Sequence, residues 1–388
     1  MEIPVYLDNH ATTKLDPRVL DAMRPFLADE FGNASSRTHK FGWEADKAVD
    51  TARRQVAALL GADPREIVFT SGATESNNLA LKGVVEAYAD KGDHIISAVT
   101  EHPAVVDTLV YLEGRGVQVT WLPLDETGRV SAEDVAAAIN DRTILITLMA
   151  ANNEIGTLHP IAEIGRLAEE RGVFFHSDAT QAVGKIPFGV NESHVHLVSI
   201  TGHKMNGPKG CGALYVRRRD PEVRLANQIH GGGQERGMRP GTLNVPSIVG
   251  LGKTAEIALA EQPEEETRVR ALRDHLQGRL FDELDGVTLN GHPEQRVPGN
   301  LNVSFLGTDS EALIMAMPQI AISSGSACAS GSIEPSKILS AIGVPPQRAR
   351  ASIRFGVGRF NTREEVDFAS ERVVEAVKRL RGAGLKKR

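Results

Sequence analysis

Between residues 66 and 200, six short apolar runs rich in β-branched residues recur with helical patterns in the gaps. The runs are EIVFT (66–70), HIISAV (94–99), VQVTWL (117–122), TILITLM (143–149), VFFHS (173–177) and VHLVSI (195–200); helix-period segments fill 75–90, 103–114, 131–140 and 160–171. Few architectures satisfy this alternation. Strands separated by helices pair in parallel through crossovers, and runs that are apolar at nearly every position are strands buried on both faces. The expected fold class is α/β, with a large domain whose mainly parallel sheet is covered by helices. GALYVR (212–217) is expected to add an edge strand. Helical stretches at 17–29 and 41–60 precede the sheet, and the second stops at Gly61, as a helix C-terminus should.

Past the sheet, a helix over 246–261 runs into the Pro-bearing acidic stretch EQPEEET (261–267), the best candidate boundary. Beyond it the pattern predicts a helix at 264–284, strands at 287–290 and 300–305, and a helix at 309–317. A strand at 320–323, a helix at 335–342, a strand at 351–355 and a helix at 363–381 follow. This is a smaller α+β domain. The expected division is 15–262 for the large domain, with 1–14 and 263–388 forming the small one. The final GAGLKKR reads as a frayed, solvated tail.

Composition narrows the function. Lys and Arg number 44 against 50 Asp and Glu, so no basic excess exists to hold a nucleic-acid backbone. Nothing approaches 18 consecutive apolar residues, and MEIPVYLDNH lacks the basic and apolar regions of a signal peptide. A cytoplasmic chain with no nucleic-acid or membrane partner is expected. Two cysteines, Cys211 and Cys328, exclude a disulfide framework and a Cys-rich metal site.

Three features are weak. GLGKTA (250–255) lacks the preceding strand and the spacing of a phosphate loop, since Ser247 stands where a Walker glycine would be. HGGG (230–233) has no G-x-S-x-G partner. His194 and His196, two apart on an expected strand, would share a face, but no third metal ligand is evident and no metal is expected.

The informative residues follow successive strands, where ligands of open α/β sheets bind. SGATESN (71–77) opens a helix, and its Gly72, Ala73 and Thr74 suit a phosphate. Glu101-His102, Asn152-Asn153-Glu154, Asp178 to Gln181 and Thr201 to Lys204 end four further strands. Together they supply a phosphate cradle, an imidazole, amides, a carboxylate and a lysine. A carboxylate and a lysine at one strand-end cleft are what pyridoxal 5'-phosphate requires, the carboxylate keeping the ring nitrogen protonated.

On these residues the chain resembles a cysteine desulfurase of the NifS/IscS type, a class V, fold-type I pyridoxal-phosphate enzyme. The similarity runs from YLDNHATT (6–13) to RFGVGRF (354–360), through SGATES, TEHPAV, NNEIG, DATQ, GHK-x-x-GPKG, HGGGQERGMRPGT and SSGSACASG. The resemblance implies that Lys204 bonds covalently to the cofactor. It makes His102 the residue stacked over the ring and a proton shuttle, and Asp178 the partner of the ring nitrogen. Asn153 and Gln181 would bond the ring's phenolic oxygen, and Ala73, Thr74, Thr201 and His203 would hold the phosphate. Thr242 would reach the phosphate of the other subunit in a homodimer, and Arg354 and Asn153 would bind the substrate.

Cys328, in SSGSACASGS (323–332), lies in a run of small residues with no bulky apolar side chain, expected to be an exposed loop. The resemblance makes it the nucleophile that takes sulfur from L-cysteine. In that scheme Lys204 or His102 removes the α-proton, the Cys328 thiolate accepts the sulfur, and alanine leaves. The persulfide would then pass to an acceptor such as an iron–sulfur scaffold. Two departures from the family pattern stand out. The chain stops at Arg388, where many members continue into a scaffold-docking segment, and His196 stands where an acidic residue is common. Cys211, before an apolar strand, reads as structural. The competing readings are a selenocysteine lyase, another class V enzyme such as an aminotransferase, or a carrier without turnover. Cys328 argues against the aminotransferase and the Lys204–Asp178–His102 set against the carrier.

Overall fold

A computed structural model describes residues 2–324 and 336–385. Its strands are β1 (Val5–Tyr6), β2 (Ile67–Thr70), β3 (His94–Ala98), β4 (Gln118–Leu122), β5 (Thr143–Thr147), β6 (Phe174–Asp178), β7 (Leu197–Thr201), β8 (Gly212–Val216), β9 (Val287–Asn290), β10 (Asn300–Phe305), β11 (Ile320–Ala321) and β12 (Ser352–Gly356). Its helices are α1 (Pro17–Ala28), α2 (Lys40–Leu60), α3 (Ala73–Ala87), α4 (Pro103–Glu113), α5 (Ala132–Ala138), α6 (Ile161–Arg171), α7 (Val245–Glu283), α8 (Ser310–Ala316), α9 (Lys337–Ala341), α10 (Pro346–Ala349) and α11 (Arg363–Leu385).

Seven strands form one sheet in the order β2-β8-β7-β6-β5-β3-β4. Pairings from β4 across to β7 are parallel, and β8 is antiparallel to both β7 and β2. Alternate residues of one strand face opposite sides. Ile67 and Phe69 accordingly pack with α2, α6 and the first half of α7, while Val68 packs with α3 and α4. Both faces are apolar, which is why the runs show little polar alternation.

GALYVR is not an edge strand. The chain reverses after β7 through Gly210, at φ +72°, and lays β8 against β7 as a hairpin partner. β2 then pairs on the far side of β8 and becomes the edge.

The two helices expected on either side of EQPEEET are one. α7 runs 39 residues through Pro263. A helix-interior proline costs about 3 kcal/mol. Burial at both ends offsets it: Leu251 and Ala255 enter the large core, and Val269, Leu272, Leu276 and Leu280 enter another. That second core also takes Val5 and Leu7 from the start of the chain, with Val303, Phe305, Ile353, Phe355 and Val373. Over it lie the antiparallel sheet β12-β10-β9 and the parallel pair β1-β11. The tail expected to fray is helical to Leu385, and the short α10 has no counterpart in the sequence reading.

Candidate active site

The carboxyl ends of β2, β3, β5, β6 and β7 converge on a cleft of about 530 Å³. Ala73, Thr74, His102, Asn153, Asp178, Gln181, Thr201, His203 and Lys204 all line it. The sequence placed these nine residues on five separate segments, and the sheet brings them together.

One wall is the N-terminus of α3. Gly72 caps it at φ +152°, a conformation that disfavours any side chain. A Cβ there would meet Thr201 Oγ1 at 3.7 Å. Thr201 Oγ1 donates to the Cys211 carbonyl at 3.2 Å, and His203 Nδ1 lies 3.1 Å from Thr12 Oγ1. Burial, then Lys204, Lys209 and Lys185, push the His203 imidazole down to about 4. The first-turn Glu75 is engaged by the Ser71 amide at 2.8 Å and by Arg239 at 2.9 Å. Free amides, hydroxyls and nearby lysines make this wall a site for a dianion.

Asp178 ends β6 and is buried. Its Oδ1 accepts the Thr180 amide at 3.0 Å, and its Oδ2 accepts Asn77 Nδ2 at 2.8 Å. Asn77, on the second turn of α3, is a supporting residue that the sequence reading missed. It reads there as an ordinary helix position.

His102 caps α4 and its Nδ1 accepts the Ala104 amide at 3.1 Å. In the neutral ring the proton therefore sits on Nε2. Burial lowers the His102 pKa, Asp178 partly restores it, and Lys204 lowers it further. Beside it, Glu101 is buried and accepts the Met149 amide at 2.7 Å. Burial raises its pKa well above the carboxyl range, the Met149 amide opposes the rise and the Asp178 charge adds to it.

Lys204 Nζ donates to the His10 and Ala11 carbonyls at 2.5 and 2.6 Å. Gln181 Nε2 donates to the His10 carbonyl at 3.0 Å. His10 and Thr180 also line the cleft, and each has a buried side-chain atom, His10 Nε2 and Thr180 Oγ1, without a hydrogen-bond partner among the described residues. Such atoms are costly unless something pairs them. An anion-binding end, a carboxylate end and polar side chains of Gln181 and Thr180 between them fit pyridoxal phosphate, whose phosphate, ring nitrogen and ring oxygen need such partners.

The other expected residues lie elsewhere. Arg354, on β12, is buried outside the cleft lining; it pairs with Asp8 at 2.8 Å and donates to the Asn153 carbonyl at 3.0 Å. Thr242 is exposed on the loop before α7 and is not brought to the cleft. Cys328 lies outside the described residues. The described chain next to it is anchored at the site: Ser323 bridges the Arg354 backbone, and Ser336 bonds the buried Glu154 side chain. Burial, eased by that bond, pushes Glu154 up to about 7. Cys211 is buried, and its thiol is pushed up to about 12, burial outweighing the pull of Arg239.

His194 and His196 do not share a strand. β7 begins at Leu197, and His194 sits before it at φ +53°, 2.7 Å from Glu169. His196 Nδ1 accepts the Phe175 amide at 3.0 Å, and burial pushes its pKa to about 4. GLGKTA lies within α7, where Gly252 approaches Ala52 so closely that a Cβ would sit 2.5 Å from its Cα.

Residues 5–368 match the family model described as Aminotransferase class-V. The chain belongs to this family. It is 56% identical over 381 residues to the cysteine desulfurase IscS of Anaeromyxobacter dehalogenans, covering 98% of this chain and 94% of that relative. Among solved structures it superposes on a NifS-like protein with a TM-score of 0.89 at 37% identity, over 96% of this chain and 99% of that one. A structure described as SspA in complex with cysteine gives 0.81, also at 37% identity, over 92% and 100%. The fold-type I architecture expected of this cysteine desulfurase follows from the same matches.

Proposed function

We propose that the protein uses pyridoxal 5'-phosphate to take sulfur from L-cysteine, releases L-alanine, and carries the sulfur as a persulfide on Cys328. The observation that carries this reading is the single cleft holding Lys204, Asp178 and the α3 N-terminus. Bound there, the cofactor supplies an electron sink for the substrate's α-carbon. The protein's own residues do the rest. Ala73, Thr74, Thr201 and His203 hold the phosphate, with Thr242 contributed across a homodimer. Asp178, fixed by Asn77 and Thr180, keeps the ring nitrogen protonated. Gln181 and Asn153 donate to the ring oxygen.

Lys204 is the better base for the α-proton. The His102 Nδ1 lone pair is committed to Ala104, so its Nε2 faces outward as a donor. Arg354 serves the substrate carboxylate by sharing or releasing Asp8. Cys328 attacks the substrate sulfur as a thiolate, and Ser323 and Ser336 tether the chain on either side of it next to Arg354 and Glu154.

We assign residues 15–262 to a cofactor domain and 1–14 with 263–388 to a small domain. The protein is placed in the cytoplasm, where an acceptor such as an iron–sulfur scaffold takes the sulfur. Among the described residues no helix is long and apolar enough to cross a membrane.

The test is to give the purified protein cysteine and measure alanine and sulfide. Cys328→Ser should lose both by at least a hundredfold while the cofactor spectrum still responds to cysteine. Without reductant, the peptide containing Cys328 should gain one sulfur and that containing Cys211 none. Turnover by the serine variant at the parent rate would overturn the assignment of Cys328.

A further inference from the structure

A second lysine lies behind the first. Lys185, on the turn after β6, places its amine 2.5 Å from Gln181 Oε1. The residue as a whole is half-buried, but its amine is enclosed by protein beside a small cavity shared with Lys204, Glu265 and Arg359. Burial lowers its pKa to about 7; Lys204 and Arg354 reinforce that and Glu265 opposes it. Charged or neutral, the amine remains a donor.

That contact decides which way the Gln181 amide points. Oxygen and nitrogen of an amide are nearly identical in shape, and only their partners tell them apart. A protonated amine can only donate, and the oxygen is the atom that faces Lys185 at 2.5 Å. His10 Nδ1, 3.0 Å from the same oxygen, is a compatible second donor. The amide nitrogen is then on the other side. One of its hydrogens goes to the His10 carbonyl at 3.0 Å. The second is left for the cleft that Gln181 lines.

We propose that Lys185 is a positioning residue that locks the Gln181 amide so that an N–H, and not the carbonyl, meets the ring oxygen of pyridoxal phosphate. This rests on the reading that Gln181 bonds that oxygen. Without Lys185 the amide keeps only its two His10 contacts and loses the donor at 2.5 Å, so the flipped form, with its oxygen toward the ring's, gains population. The N–H favours the more negative, deprotonated form of the bound chromophore. Its loss therefore raises the pH at which the visible band changes.

The experiment is a pH titration of the visible absorption of the holoenzyme in four forms: parent, Lys185→Met, Gln181→Leu and both. Lys185→Met should raise the midpoint by about one pH unit, the size of a lost hydrogen bond to a charged group. Gln181→Leu should raise it by at least as much. In the Gln181→Leu background, Lys185→Met should move it by less than about 0.3 unit, because the group it acts through is gone. An equal shift in both backgrounds would mean that Lys185 acts by its charge alone, and the proposal fails. No shift in Lys185→Met while Gln181→Leu shifts also defeats it and leaves the Gln181 reading intact. No shift in Gln181→Leu defeats both. Thermal melts of the four apoproteins check the fold. If Lys185→Met does not accumulate, Lys185→Gln, one atom shorter and unable to reach Oε1, carries the same expectation.

Discussion

Asp178 is held by two neutral donors, and one of them, Asn77, was given no role by the sequence. Replacing Asn77 by Leu keeps the volume and removes the donor. A hydrogen bond to a charged group contributes about 1.5–3 kcal/mol, so the apoprotein of Asn77→Leu should melt lower, and it should bind pyridoxal phosphate about tenfold more weakly by equilibrium dialysis at a temperature where it is folded. Unchanged affinity would show that Asp178 does not depend on Asn77. Lys204 and Asp178 were legible because each ends a strand inside a distinctive motif. Asn77 and His10 were not, because their roles arise from contacts across 101 positions to Asp178 and 194 to Lys204; Lys185 is only four positions from Gln181, but nothing in its local pattern says that its amine turns inward. Cys211 offers a second check at this scale. Its thiol, pushed up to about 12, stays protonated at pH 8. Iodoacetamide should leave it unmodified in the native protein and label it after urea unfolding, as read by peptide mass.

Where elements meet, the phosphate wall depends on how closely β8 approaches the turn after β2. A Cβ at Gly212 would sit 2.7 Å from Gly72 Cα and 2.5 Å from the Ile200 carbonyl oxygen, both backbone atoms that cannot yield cheaply. Gly212→Ala should destabilise the protein by about 1–3 kcal/mol and also weaken cofactor affinity, because the turn carrying Ala73 and Thr74 must shift. Urea unfolding of the apoprotein and a cofactor titration test the two effects separately; a stability loss with unchanged affinity would show that the turn is not disturbed. The same strand marks a limit of the sequence reading. Its apolar run announced a strand, but its place inside the sheet follows from the hairpin with β7, which periodicity does not encode. The merging of two expected helices into α7 has a similar cause. Pro263 is a sound local stop signal, overridden by cores that hold both ends of the helix.

Across the whole molecule, α7 ties the two cores into one cooperative structure. Leu280 is fully buried in the smaller core, and Leu280→Ala should cost about 2–5 kcal/mol. The two tryptophans, Trp43 in α2 and Trp121 in β4, lie in the other unit. If α7 couples the units, the variant's urea midpoint should fall equally by tryptophan fluorescence and by far-ultraviolet circular dichroism. A fluorescence transition left at its parent position would show that the two cores unfold independently.

The pairing of β1 with β11 sets a schedule for making the protein. Val5 lies opposite Ile320, so the strand emerges from a ribosome early and must wait for its neighbour. At about 5–20 residues per second the delay is roughly 15–60 s. Throughout it, Val5 and Leu7 have no core to enter, and the nascent chain presents an apolar segment that chaperones can hold. His10 and Ala11 follow a few residues later, and their carbonyls receive the Lys204 amine. The part of the cleft built by His10 and Ala11 therefore needs the turn after β7 before it can form, and the strand just ahead of it is seated only once β11 has been made.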